Sequence, residues 1–302
     1  MSNEYSFLSG FMQSRNVGRV IAQVDALKES GSTASKLLKW DRSQNRWFSF
    51  NLEWHATRIC AIEVPEIMVF ATGPDGIVSV STMVGSTEEE IDDSLDGPAR
   101  RGPIRDLQLI NGVPYATGMG RQVYRREGPA KWTRQDQGVV LPRGEIELCG
   151  FNSIDGIREE NLYAVGFNGE IWQRLEGKWF NRESPTNLVL HRVKVVREDL
   201  VFVCGQMGTL LRGDGSQWEA VGQDATSEDL WGMEWFNGEL YLACDSGLLR
   251  LDGNDNLVAV DMNLPGKPSS RHLHANDGVL WSCGPKNVVW TEDGQRWTEV
   301  TP

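Results

Sequence analysis

Five residues stand at equivalent places in a repeating pattern: Arg58, Arg105, His191, Trp231 and Arg271. Each precedes or opens a short run of alternating apolar residues. Arginine binds carboxylates through paired N–H groups, and tryptophan and arginine are the side chains that most often anchor protein interfaces. Such a set suits a carboxylate or aromatic group from a partner, whereas pairing with acidic neighbours is its plainer use. His272 and His274 form an H-x-H pair on one side of a strand. Histidines two apart can share a metal, but no third ligand is evident, so a polar lining is expected and no metal or cofactor. Asp106 and Glu234 fall near the same places and could exchange protons.

The stretch Glu88–Asp96, EEEIDDSLD, holds six carboxylates in nine residues: Glu88, Glu89, Glu90, Asp92, Asp93 and Asp96. Like charges at this density repel, so the expectation is a solvated loop where the outermost strand of a repeat should lie. Such a loop either contacts a basic partner or is a plain surface insertion.

Catalytic signatures fail. No G-x-S-x-G, H-E-x-x-H, P-loop or G-x-G-x-x-G stands in the required strand–helix context. The whole chain carries 42 Asp and Glu against 30 Lys and Arg, a net charge of −12. That field has the wrong sign for nucleic acid and the right one for a basic protein. No apolar run approaches the roughly 18 residues a membrane span needs. The N-terminus lacks a basic segment followed by an apolar core, so a cytoplasmic protein is expected. Five cysteines without C-x-x-C spacing read as neither a disulfide framework nor a zinc site.

The elements that position these residues repeat. VFATG (Val69–Gly73), PYATG (Pro114–Gly118), LYAVG (Leu162–Gly166), VFVCG (Val201–Gly205), LYLAC (Leu240–Cys244) and LWSCG (Leu280–Gly284) end 45, 48, 39, 39 and 40 residues apart. A turn follows each, at Gly76, Gly120, Gly169, Gly208, Gly247 and Asn287, residue types that tolerate the positive φ of hairpins. A second apolar run comes next, and Trp47, Trp132, Trp179, Trp218 and Trp297 close five units. Closing positions near 47, 89, 132, 179, 218, 258 and 297 make seven units of four short strands across residues 1–302. The expected fold is all-β, a single-domain seven-bladed β-propeller with four antiparallel strands per blade. One tryptophan per blade would fill the wedge between sheets, and Cys204, Cys244 and Cys283 would be inert core thiols. Only Gly18–Ser30 could hold a short helix, or equally a strand.

Asn161–Trp179 (NLYAVGFNGEIWQRLEGKW) and Asp199–Trp218 (DLVFVCGQMGTLLRGDGSQW) resemble repeats of bacterial WD40/YVTN-like and Asp-box-like propellers, and TEDGQRW (Thr291–Trp297) looks like a degenerate Asp-box. The resemblance covers about six repeats. It implies a fold and no particular activity.

The expected function is therefore non-enzymatic protein binding. An acidic propeller of this kind suits an inhibitor or immunity protein capping a basic partner, or an assembly adaptor. The alternative is a hydrolase or lyase in which Arg105, His191 and Arg271 hold a small anionic or sugar-like ligand. A pure scaffold is the third reading.

Overall fold

The repeated segments are mostly apolar rather than alternating, with Thr72, Thr117 and Ser282 as their polar members, which is how a strand covered on both faces reads. In the computed structural model, which describes residues 4–142, 149–222 and 224–302, they are the second strands of four-stranded antiparallel sheets. Seven such sheets, each made of consecutive strands, are the blades of a seven-bladed β-propeller. They span residues 5–52, 58–90, 104–134, 151–182, 190–220, 232–259 and 272–299, here blades 1 to 7. The second strands are buried: Val69–Thr72, Leu162–Val165, Val201–Cys204 and Leu240–Cys244 are all among the core residues.

The chain divides into two compact units, one formed by Met1–Ile59 with Glu228–Pro302 and the other by Cys60–Ser227. Blades 1, 6 and 7 belong to the first. In it, the first strands of blades 6 and 7 pack together, as do those of blades 7 and 1. Blades 3, 4 and 5 and nearly all of blade 2 form the second unit. There the first strands of blades 3, 4 and 5 lie side by side. In these six blades the first strand is therefore the inner one.

The glycine that ends the repeated segment has a specific cause. A Cβ on Gly118, Gly166 or Gly205 would stand 2.3, 1.8 and 2.3 Å from the carbonyl oxygens of Pro103, Gly150 and Val189. These carbonyls lie where the chain enters the first strand of the same blade, so only glycine fits. In the following turns Gly76, Gly120, Gly169, Gly208 and Gly247 all have positive φ. Asn287 departs from the expectation, since it is not among the positive-φ residues. Its side-chain amide donates to the Ser269 carbonyl at 2.9 Å, which holds the turn by a different bond. The Gly18–Ser30 segment divides between strand Val17–Val24 and helix Asp25–Glu29.

The closing tryptophans do pack against the preceding blade. Trp132 Nε1 donates to Glu89 of blade 2, and Trp179 Nε1 to the Gln135 carbonyl beyond blade 3. Trp218 meets Tyr163 of blade 4 edge-on, with ring centroids 6.2 Å apart. Trp297 joins the cluster of Tyr241 and Leu248 of blade 6. Trp47 packs on Trp281 of blade 7 and donates to the Val300 carbonyl.

Cys60, Cys204, Cys244 and Cys283 are free and buried, and burial raises each thiol, that of Cys204 to about 12. Half-buried Cys149 is raised too, by burial and by the neighbouring Glu170 carboxylate. Because the thiolate is the reactive form, an aromatic disulfide reagent at pH 8 should find no fast-reacting thiol in the native chain and five after denaturation. A rapid native equivalent would contradict these environments.

Candidate functional site

The chain enters each inner strand at the end of the blade that also carries the turn between the second and third strands. Several of the expected contact residues gather there. In the first unit, Arg271 and Trp231 immediately precede the inner strands of blades 7 and 6. The Arg271 guanidinium lies 5.2 Å from the centre of the Trp231 ring. It also reaches both oxygens of Asp245, at 2.8 and 3.3 Å. Arg271 and Asp245 are about half exposed, so the aromatic stack and the fork hold an arginine ready at the surface. Arg58 is half-buried and donates to the Thr57 carbonyl at 2.9 Å.

In the second unit Arg105 and His191 are the second residues of the inner strands of blades 3 and 5, and both are half-buried. Arg105 Nε donates to Asn152 Oδ1 at 2.5 Å, and its guanidinium lies 5.5 Å from the Phe167 ring. Burial lowers its pKa from the ordinary arginine value. Two of the expected arginines thus rest on aromatic rings, Phe167 and Trp231, and among the described residues no carboxylate forks Arg105 as Asp245 forks Arg271.

The alternation expected for the inner strands holds: Leu107, Val193, Met233 and Leu273 are buried. The polar residues between them tie neighbouring blades. Asp106 is fully buried and accepts from Arg192 Nη1 at 2.8 Å and from the Ile154 N–H at 3.2 Å. Asp155 accepts from the Val195 N–H at 2.7 Å and Ser153 from the Val193 N–H at 3.3 Å. His274 Nδ1 accepts from the Met12 N–H at 3.2 Å while its ring lies 3.8 Å from that of Phe11. The expected histidine lining therefore needs correction: His274 joins blade 7 to blade 1, and a ring nitrogen that accepts an amide proton is not free for a metal. His272, two residues away, is half-buried. Among the described residues no three His, Cys, Asp or Glu are grouped to hold a metal ion. Asp106, a candidate for proton transfer, is committed to holding blades 3, 4 and 5 together. Glu234 is buried, and its carboxylate accepts the N–H of Trp235.

The acidic stretch is also corrected. Ser86–Glu90 is the outermost strand of blade 2, not a loop that replaces it. Strand alternation turns Glu89 inward, where its carboxylate takes both nitrogens of the Arg126 fork at 2.6 and 2.9 Å. Glu88, Glu90, Asp93 and Asp96 are exposed and Asp92 is half-exposed. Asp96 is held by Arg101 at 3.1 Å. Beside the end of the strand lies a groove of about 610 Å³, lined by Glu90, Asp92, Asp93, Tyr124, Trp132 and Arg134. The sequence reading missed Leu95, Trp132 and Phe167 as parts of these surfaces. Leu95 was legible as the one large apolar residue between Asp93 and Asp96.

No family model matches the chain. Among solved structures, the WD40 β-propeller domain of Doa1 superposes with a TM-score of 0.70 and 12% identity, over 99% of this chain and 97% of that one. The structure of YCF48 bound to D1 peptide gives 0.68 and 14%, over 95% and 91%. These likenesses concern the fold alone. A sequence relative carries more: the immune protein Tsi7 of Pseudomonas aeruginosa (strain PAO1) is 35% identical, over 99% of this chain and 98% of its own length. Identity at that level along the whole length of both chains shows that this protein belongs to the family of the immune protein Tsi7.

Proposed function

We propose that the chain is an immunity protein, a propeller without catalysis of its own that binds a harmful protein and neutralises it. The whole-length relationship to an immune protein carries this reading. The site supports it, because the polar groups best placed for chemistry, Asp106 and His274, are used in joining blades. The exposed groups, Arg271 stacked on Trp231 and the carboxylates of Glu88, Glu90, Asp93 and Asp96, are of the kinds that bind surfaces.

The partner in this reading has a basic surface, is met in the cytoplasm, and is drawn in by a chain of net charge −12. Contact falls to Arg58, Arg105, His191, Trp231, Arg271 and His272 at the ends of the inner strands, and to Glu88, Glu90, Asp92, Asp93 and Asp96. Glu89 supports that surface from beneath. Thr291–Trp297 is a degenerate Asp-box turn in this reading, with Asp293 accepting the N–H groups of Gln295 and Arg296. Among the described residues no helix is long and apolar enough to cross a membrane.

The tagged chain should recover one stoichiometric protein from its native cells, released as salt rises. Expression of that protein alone should arrest growth, and co-expression with this chain should restore it. A recovered protein that is harmless on its own would overturn the immunity reading.

A further inference from the structure

The groove between blades 2 and 3 and the loop beside it form a surface that the charge pattern alone does not describe. The loop is pinned from several sides. The Ser94 N–H donates to Asp92 Oδ1 at 2.9 Å, the Gly97 N–H to the Ser94 carbonyl at 3.0 Å, and Arg101 to Asp96. The turn is so tight that a Cβ on Gly97 would stand 1.9 Å from the Asp92 carbonyl oxygen. This frame holds Leu95 outward, with 66% of its surface exposed.

Charge in the groove is unbalanced. Arg134 is committed to Asp136, with bonds of 3.2 and 2.9 Å. Arg126 is committed to Glu89. Against Glu90, Asp92 and Asp93 that leaves Lys131 as the remaining basic residue of the lining. The half-buried Trp132 supplies an aromatic wall, its indole N–H oriented by Glu89 at 3.2 Å. A negative rim, an aromatic wall and a fixed apolar tip complement a positive, partly apolar segment of a protein.

We infer that this surface is where the neutralised partner docks: a long basic side chain of the partner enters the groove against Trp132, between Glu90, Asp92 and Asp93, and Leu95 seats in an apolar depression beside it. The inference rests on the immunity reading and adds where the partner binds and with what chemistry. A loop already fixed loses little conformational entropy on binding, so Leu95 serves as an anchor rather than as an incidental exposed residue.

The test uses the full chain and the protein recovered on it, with rates measured at two salt concentrations. Leu95→Glu should weaken binding by at least ~30-fold, the loss of an anchor at the centre of an interface. Asp92→Asn with Asp93→Asn keeps shape and removes charge, and should slow association by ~10-fold at low salt and flatten its salt dependence. Both substitutions are in surface side chains, and unchanged thermal unfolding would confirm that the fold is intact. Ile157→Glu, at an exposed residue of blade 4, should bind as the unaltered chain does. Normal binding by both the Leu95 and the aspartate variants, with the unaltered chain active, would overturn the docking site alone. Failure of the unaltered chain to hold any harmful protein would overturn the immunity reading, and the docking site with it.

Discussion

Replacing Trp281 by alanine is expected to lower the stability of the chain by about 3–5 kcal/mol, the cost of emptying a large aromatic site in a core. Trp281 is fully buried on the second strand of blade 7, in the cluster that also contains Val20, Leu38 and Trp40 of blade 1. The ring lies close against the glycines of blade 1. A Cβ on Gly18 would stand 2.5 Å from it, and one on Gly10 would meet its Nε1 at 3.0 Å. Gly18→Ala should therefore be destabilising as well, because ring and strand cannot both keep their places. Chemical unfolding followed by far-ultraviolet circular dichroism measures both changes. A loss under about 1 kcal/mol for Trp281→Ala would mean that the contact between the first and last blades is not organised around this ring.

Glu89→Ala is the second large expected effect. The Glu89 and Arg126 side chains retain only 4% and 8% of their exposure, and removing one partner leaves the other charge buried and unmatched. Breaking a buried pair in this way costs about 3–5 kcal/mol. Burial alone would raise the Glu89 pKa, but hydrogen bonds from Arg126, the Ala130 N–H and the Trp132 indole outweigh it and bring the value below 4.5. A carboxyl whose pKa falls on folding stabilises the native state above its ordinary value and loses that contribution as pH drops through the lowered one. Native Glu89 therefore contributes fully above pH 4.5 and progressively less in stronger acid. The stability gap between the unaltered chain and Glu89→Ala should narrow along that descent. A gap independent of pH would show that the ionised carboxylate is not what the site holds.

Glu89 also marks the limit of what its neighbours in sequence reveal. Six carboxylates in nine residues read as solvated, and for Glu88, Glu90 and Asp93 that is how they stand. Strand pairing decides otherwise for Glu89: Glu89 faces Val78 on the third strand, and that register turns its side chain toward Arg126, 37 residues away. A shift of one residue would have exposed Glu89 and buried Glu88 or Glu90 instead. The histidine pair shows the same limit. H-x-H is a local pattern, but the Met12 N–H that occupies His274 comes from 262 residues away in the chain.

The architecture needed no such distant information. Buried second strands, glycines at close backbone approaches and closing tryptophans recur locally, so six repeated segments, five of them ending in glycine, and five closing tryptophans state the blade several times over. The inner-strand alternation of Leu107, Val193, Met233 and Leu273 follows from the two-residue period of a strand. What the sequence by itself determined is thus the all-β class, the four-stranded unit and the ends of the strands where Arg105, His191, Trp231 and Arg271 lie. Only the tertiary structure decided which charges remain available. Asp106 and Glu89 are consumed in buried pairs, Arg271 is stacked on Trp231, and Leu95 is held out by Arg101 and Asp96. The physical reason is range: strand periodicity is set by adjacent residues, whereas the partner of a charge is set by the packing of one blade on another.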